Sequence, residues 1–262
     1  MQIGASTACY YPLETEKSLK LLADAGFKIF EVFVNAKSEY SSEYIKEFNK
    51  KCDFYGLSLY SFHPFTSFAE TMYFFTEYKR RMIEGIENYK KQFYAAKQMG
   101  AKVFNFHGDY IKHKTDINLS FEIYATLREK ALEEGIIFAQ ENVANCKSGD
   151  LEFVTQMRDC LKDNVEFTFD VKQANRAGYS PFDILKAMSG RIINVHLSDY
   201  SADNDCLLPS MGELDTKNLL NKIMKSGYSG PAIIEVYKEN YKKIKDIENS
   251  RNFLEGIFVQ KN

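Results

Sequence analysis

Acids and imidazoles recur in this sequence at one kind of place, the far end of a short apolar run. The runs read FEVFV with Glu31, SFHPF with His63, NFHGD with His107 and Asp109, and AQENV with Glu141 and Asn142. They continue with FTFDVKQ (Asp170 and Gln173), NVHLSD (His196 and Asp199) and IIEVY (Glu235). A carboxylate is almost never buried alone, so an acid that closes a strand needs a partner. Glu141, Asp170 and Glu235 gathered at one rim would repel one another unless a cation lay among them. With the imidazole of His196 they make a nitrogen and oxygen ligand set suited to one divalent metal ion: Mn, Mg, Co or Zn. The set holds no sulfur, which argues against a structural zinc and for a catalytic centre. The competing reading is a buried salt-bridge network, but Lys172, Arg176 and Lys238 lie just beyond the strand ends and offer it little charge.

Something must bring these ends together. Short β-branched or aromatic runs at 3–8, 28–34, 58–63, 102–107, 136–143, 165–170, 192–198 and 232–237 predict eight strands. Amphipathic stretches near 15–24, 41–55, 77–99, 117–134, 149–160, 181–188, 216–226 and 240–258 predict the helices between them. Gly26, Gly56, Gly100 and Gly135 close four of these, as left-handed helix caps do. Alternation of this kind implies parallel strands joined by helical crossovers. Eight units without a linker predict an α/β chain folded as a closed (β/α)8 TIM barrel, one domain over 1–262, whose active site lies at the C-terminal strand ends. A doubly wound open sheet is the alternative, and no GxGxxG turn follows the first strand to support it.

Composition removes several other classes. The chain has 262 residues, 45% of them hydrophobic and 27% charged, with a net charge of −2. No run approaches the roughly 20 apolar residues that cross a bilayer, and MQIGASTACYYP lacks the features of a secretory signal. No basic face advertises a nucleic-acid partner. Five scattered cysteines, odd in number and never in a CxxC pair, predict reduced thiols and a cytoplasmic location.

The fragments QENV, FDVKQANRAG, INVHLSD, LLPSMGELD and GPAIIEVY, in that order and over nearly the whole chain, resemble the xylose-isomerase-like TIM barrels. That sugar phosphate isomerase/epimerase superfamily also contains AP endonucleases of the endonuclease IV type. In its ketose 3-epimerase branch the matching positions, Glu141, Asp170, His196 and Glu235, would hold one divalent metal, with Glu141 and Glu235 as the acid/base pair. Two positions depart from the family pattern. Gln173 stands where Asp-x-x-His would place a histidine, and Leu207 in CLLPSMGELD stands where a second histidine would precede a turn that is one residue longer. Both are histidines that the endonuclease's three-zinc cluster would use, which favours a single metal here.

The resemblance therefore implies a sugar isomerase or epimerase of carbohydrate metabolism. Its substrate is a small sugar or polyol-derived ketone, its proton transferred through a metal-stabilised enediolate. His63, His107, Gln173 and Asp199 are the expected substrate contacts, with Asp199 also a candidate to orient His196. His113, in the polar loop YIKHKTD, is expected in solvent. Lys147, Lys172, Arg176 and Lys238 are either solvated or placed to recognise a phosphate or carboxylate. The aromatic loop HPFTSFAETMYFF has three readings: a cover for the site, a contact in a homo-oligomer, or packing against the next helix. The alternatives for the whole chain are an AP endonuclease-like phosphodiesterase and a non-catalytic sugar-binding barrel.

Overall fold

The computed structural model describes residues 1–259. The chain runs β1 (Ile3–Ser6), α1 (Thr15–Asp24), β2 (Ile29–Phe33), α2 (Ser42–Tyr55), β3 (Ser58–His63), α3 (Glu70–Phe74) and α4 (Lys79–Gln98). It continues β4 (Val103–Phe106), α5 (Ile117–Glu133), β5 (Ile137–Glu141), α6 (Leu151–Leu161), β6 (Glu166–Asp170), α7 (Val171–Arg176) and α8 (Pro181–Ala187). Last come β7 (Ile192–Leu197), β8 (Asp199–Ser201), β9 (Asn204–Leu207), α9 (Thr216–Lys225), β10 (Ala232–Ile234) and α10 (Ile244–Val259). Eight of these strands, all parallel to their neighbours, close into a barrel in the order β1-β10-β7-β6-β5-β4-β3-β2. The expected (β/α)8 barrel is the fold. The four predicted helix-closing glycines, Gly26, Gly56, Gly100 and Gly135, all have positive φ.

Outside the barrel wall an aromatic seam glues helices to strands. Phe93 meets Phe104 edge-on at 4.8 Å and Phe138 at 5.6 Å, while Phe62 stacks on Phe104 at 5.3 Å. Such pairs add roughly 0.5–1.5 kcal/mol each beyond the area they bury. Inside the barrel the character changes with depth. Tyr60, Val103 and Ala139, with Ile29, Ile137 and Ile193, form a separate apolar cluster. One or two residues further along the strands lies a fully buried polar layer of Glu31, Ser61, Asn105, Thr168 and Asn194. Its members bond one another: Ser61 Oγ and Asn105 Nδ2 donate to Glu31 at 2.6 and 2.8 Å, and Thr168 Oγ1 donates to Asn105 at 2.7 Å. A polar layer gives up apolar burial, and here it supports the residues above it.

Four elements, α3, α7, β8 and β9, were not foreseen. α7 begins directly on β6 because the Asp170 side chain caps it, Oδ1 accepting from the Gln173 amide at 2.8 Å. The antiparallel pair β8–β9 is too short for its alternation to register as strands. No helix among the described residues is long and apolar enough to cross a membrane.

Candidate active site

The strand ends converge as their spacing predicts. Asp170 and His196 are register partners on β6 and β7, Glu141 ends β5, and Glu235 follows β10 with its amide bonded to the Leu197 carbonyl. One ligand atom from each of Glu141, Asp170, His196 and Glu235 lies within 4.8 Å of the others. All four residues are buried. His196 Nδ1 stands 3.5 Å from Glu141 Oε1, from Asp170 Oδ2 and from Glu235 Oε2 alike.

Those separations exceed ordinary hydrogen bonds. Two ligands each ~2.1 Å from a common ion, tetrahedrally placed, would stand roughly 3.4 Å apart. Three buried atoms of this group have no hydrogen-bond partner: Glu141 Oε2, Asp170 Oδ2 and His196 Nδ1. The other imidazole nitrogen, Nε2, is 2.8 Å from Glu31 Oε2. A proton on Nε2, donated to Glu31, leaves the Nδ1 lone pair facing the carboxylates, the tautomer a metal ligand requires. The donor set therefore fits a divalent cation.

A second group shares Glu141. His63, His107 and Glu141 also offer mutually close ligand atoms. The two imidazoles meet Nε2 to Nε2 at 3.0 Å and lie 3.6 and 3.3 Å from Glu141 Oε2. Burial alone would lower His63, but the Glu141 carboxylate outweighs it and holds the imidazole up at about 9. Glu141 would be raised by burial, yet His196, His107 and His63 hold it well below the usual carboxylate range.

Lys172 lies deeper than its sequence position suggests. Expected just beyond the site, it is instead 2% exposed, because α7 starts so early that position 172 turns back into the barrel mouth. Its Nζ donates to Glu235 Oε2 at 2.7 Å and lies 3.5 Å from Asp170 Oδ2. Burial would raise Glu235, but Lys172 and then His196 pull it down to about 2. The acid cluster thus contains one fixed cation of its own.

A cavity of about 860 Å³ opens over this floor, lined by Glu141, Glu235, His63, His107, Lys172 and Gln173, with Tyr11, Phe33, Tyr237 and Tyr241 among its apolar walls. Gln173 is anchored there by the Ala144 amide, which donates to its Oε1 at 3.1 Å. Asp199 is not in the cavity wall. Its carboxylate accepts from the Tyr200, Gly212 and Leu214 amides at 2.8, 2.9 and 3.0 Å, so it organises the loop between β9 and α9. Gly212 is tied to that role: a Cβ there would stand 2.3 Å from the Tyr200 carbonyl oxygen. His113 is exposed, as expected, and its imidazole lies 2.9 Å from Asp109. Lys147 is held by Asp109 and the Thr115 carbonyl, and Arg176 by Asp205 and Tyr237. Lys238 lines the cavity with its ammonium 4.3 Å from the Tyr241 ring centroid.

Two residues that shape the site carry no reactive role in the sequence reading. Glu31 was visible as a strand-end acid, but its bond to His196 spans 165 positions. Glu70, in the aromatic loop, is fully buried and accepts from the His107 and Gly108 amides at 2.9 and 2.6 Å and from Tyr89 Oη at 2.6 Å. It fixes the loop that carries His107. The same loop packs Phe74 against Tyr89 at 4.8 Å and leaves Phe68 and Met72 outward.

The xylose isomerase-like TIM barrel family model matches residues 19–257. The chain belongs to this family. No curated protein matches its sequence. Among solved structures, a D-tagatose 3-epimerase-like protein superimposes with a TM-score of 0.79 at 21% identity, covering 99% of this chain and 97% of that one. The IOLI protein, solved with a binding zinc atom, gives 0.79 at 16%, with 100% and 99% covered. A D-psicose 3-epimerase from Clostridium cellulolyticum H10, solved with D-tagatose, gives 0.74 at 15%, with 98% and 99% covered. At these identities the likeness establishes the barrel.

Proposed function

We propose that this chain, one domain over 1–262, is a divalent-metal-dependent isomerase or epimerase of a small sugar or sugar-like ketone. The observation that carries the reading is the convergence of Glu141, Asp170, His196 and Glu235 with three buried atoms that make no hydrogen bond. Family membership and solved relatives titled as a D-tagatose 3-epimerase-like protein and a D-psicose 3-epimerase point the same way. Five free cysteines support a cytoplasmic setting.

Glu141, Asp170, His196 and Glu235 would hold one Mn, Mg, Co or Zn ion. Such an ion would supply Lewis acidity at the substrate's carbonyl, making the hydroxyl-bearing carbon next to that carbonyl acidic. Glu235 and Glu141 then exchange protons with that carbon. They stand on strands separated by β6 and β7, so they address the substrate from different sides. Two bases on opposite faces favour epimerisation over a one-face transfer between neighbouring carbons. Asp170 positions the ion, and Glu31 holds His196 in its ligating tautomer. His63, His107 and Gln173 bind substrate oxygens from the cavity wall, and Tyr11, Phe33 and Tyr237 offer faces for the sugar's C–H surface.

The test is solvent exchange. Metal-loaded protein incubated with ketoses and polyol-derived ketones in deuterium oxide should introduce label next to the carbonyl, followed by NMR. Glu235→Gln should abolish uptake while the fold persists; full uptake in that variant removes Glu235 as a base. Cleavage of abasic-site duplex DNA without label uptake would instead favour the phosphodiesterase reading. Saturable ligand shifts without label would favour the binding barrel.

A further inference from the structure

Lys172 is a lysine buried among the acids of the centre, a place its position just beyond a strand end does not announce. Its ammonium sits against Glu235 Oε2 and near Asp170 Oδ2, two of the atoms that also face His196 Nδ1. The Tyr237 ring, 5.0 Å from Nζ, closes its other side. A buried acid whose partner is removed is costly. Lys172 therefore offsets charge that a divalent ion would otherwise offset alone, and it does so on the same oxygens.

We propose that Lys172 is a resident counter-cation that shares Glu235 and Asp170 with the metal and opposes its binding. This rests on the metal-centre reading above. The consequence is a centre that stays assembled without its ion and holds that ion loosely enough to exchange. Two cations over one pair of carboxylates repel each other: a unit charge and a double charge about 4 Å apart differ by roughly thirtyfold in binding even at the dielectric constant of water. A proton taken up by the cluster after loss of the ammonium is released as the ion binds, at little cost at pH 8, whereas the ammonium stays in place beside the ion.

The experiment titrates Mn²⁺ into chelator-stripped wild type, Lys172→Gln and Lys172→Arg at pH 8 by isothermal calorimetry, with thermal unfolding recorded with and without the ion. Lys172→Gln should bind Mn²⁺ at least about tenfold more tightly than wild type. Its melting temperature should fall in the stripped form and recover on adding Mn²⁺. Lys172→Arg, which keeps the charge, should stay near wild-type affinity. If Lys172→Gln can be recovered only with Mn²⁺ present, that too supports the proposal. Equal or weaker binding by Lys172→Gln, or equal destabilisation with and without the ion, overturns it while wild-type binding leaves the metal reading standing. If neither wild type nor Lys172→Gln binds Mn²⁺, both readings fall.

Discussion

His196 has two nitrogens, and Glu31 decides what each does. With Nε2 at 2.8 Å from the Glu31 carboxylate, a neutral ring carries its proton on that side and turns the Nδ1 lone pair to the carboxylate cluster. Glu31 is in turn fixed by Ser61, Asn105 and Asn194, so the imidazole ring has little freedom to rotate. Loss of such a supporting carboxylate typically weakens metal binding by about 10–100-fold. Glu31→Gln should do the same, measured by competition with a fluorescent chelator; unchanged affinity would leave His196 without need of Glu31. Asp199 makes the opposite case. Its three amide contacts predict that Asp199→Ala lowers stability by about 1–3 kcal/mol in urea unfolding and leaves Mn²⁺ affinity unchanged. A large drop in affinity without loss of stability would return Asp199 to the centre.

At the scale of elements, the loop between β3 and α4 is pinned by one buried acid. Burial raises Glu70 to about 8 even though Tyr89 and two backbone amides donate to it. Between its ordinary value of 4.5 and about 8, the folded chain keeps a proton that the unfolded chain has lost. Glu70's contribution to stability is therefore full below the ordinary value and is lost as the pH rises, by about 1.4 kcal/mol per pH unit at most. Glu70→Gln, which preserves the shape, should flatten the fall in unfolding free energy between pH 5 and 8; identical slopes would show that Glu70 is ionised throughout. The strands and longer helices were legible because their apolar periods run for several turns or residues. α3, α7 and the β8–β9 pair were not, since each is short and set by particular contacts such as the Asp170 cap.

At the scale of the whole molecule, barrel closure turns seven separated strand ends into one rim. Alternation and length announced that closure, and the identities of the acids announced which rim mattered. The depth of each side chain was not readable. Lys172 looked like a rim lysine because one turn of helix, invisible in the apolar pattern, carries it inward. Glu31 and Asp199 both read as strand-end acids, yet Glu31 lies in the middle of β2, where it supports His196, and Asp199 opens β8, where it anchors a loop. The proposed chemistry requires a divalent ion at the barrel mouth. Anomalous diffraction from crystals grown with Mn²⁺ tests this most directly. One strong peak within bonding distance of Glu141, Asp170, His196 and Glu235 is the predicted result. An ordered mouth with no anomalous peak, Lys172 alone among the carboxylates, would contradict it.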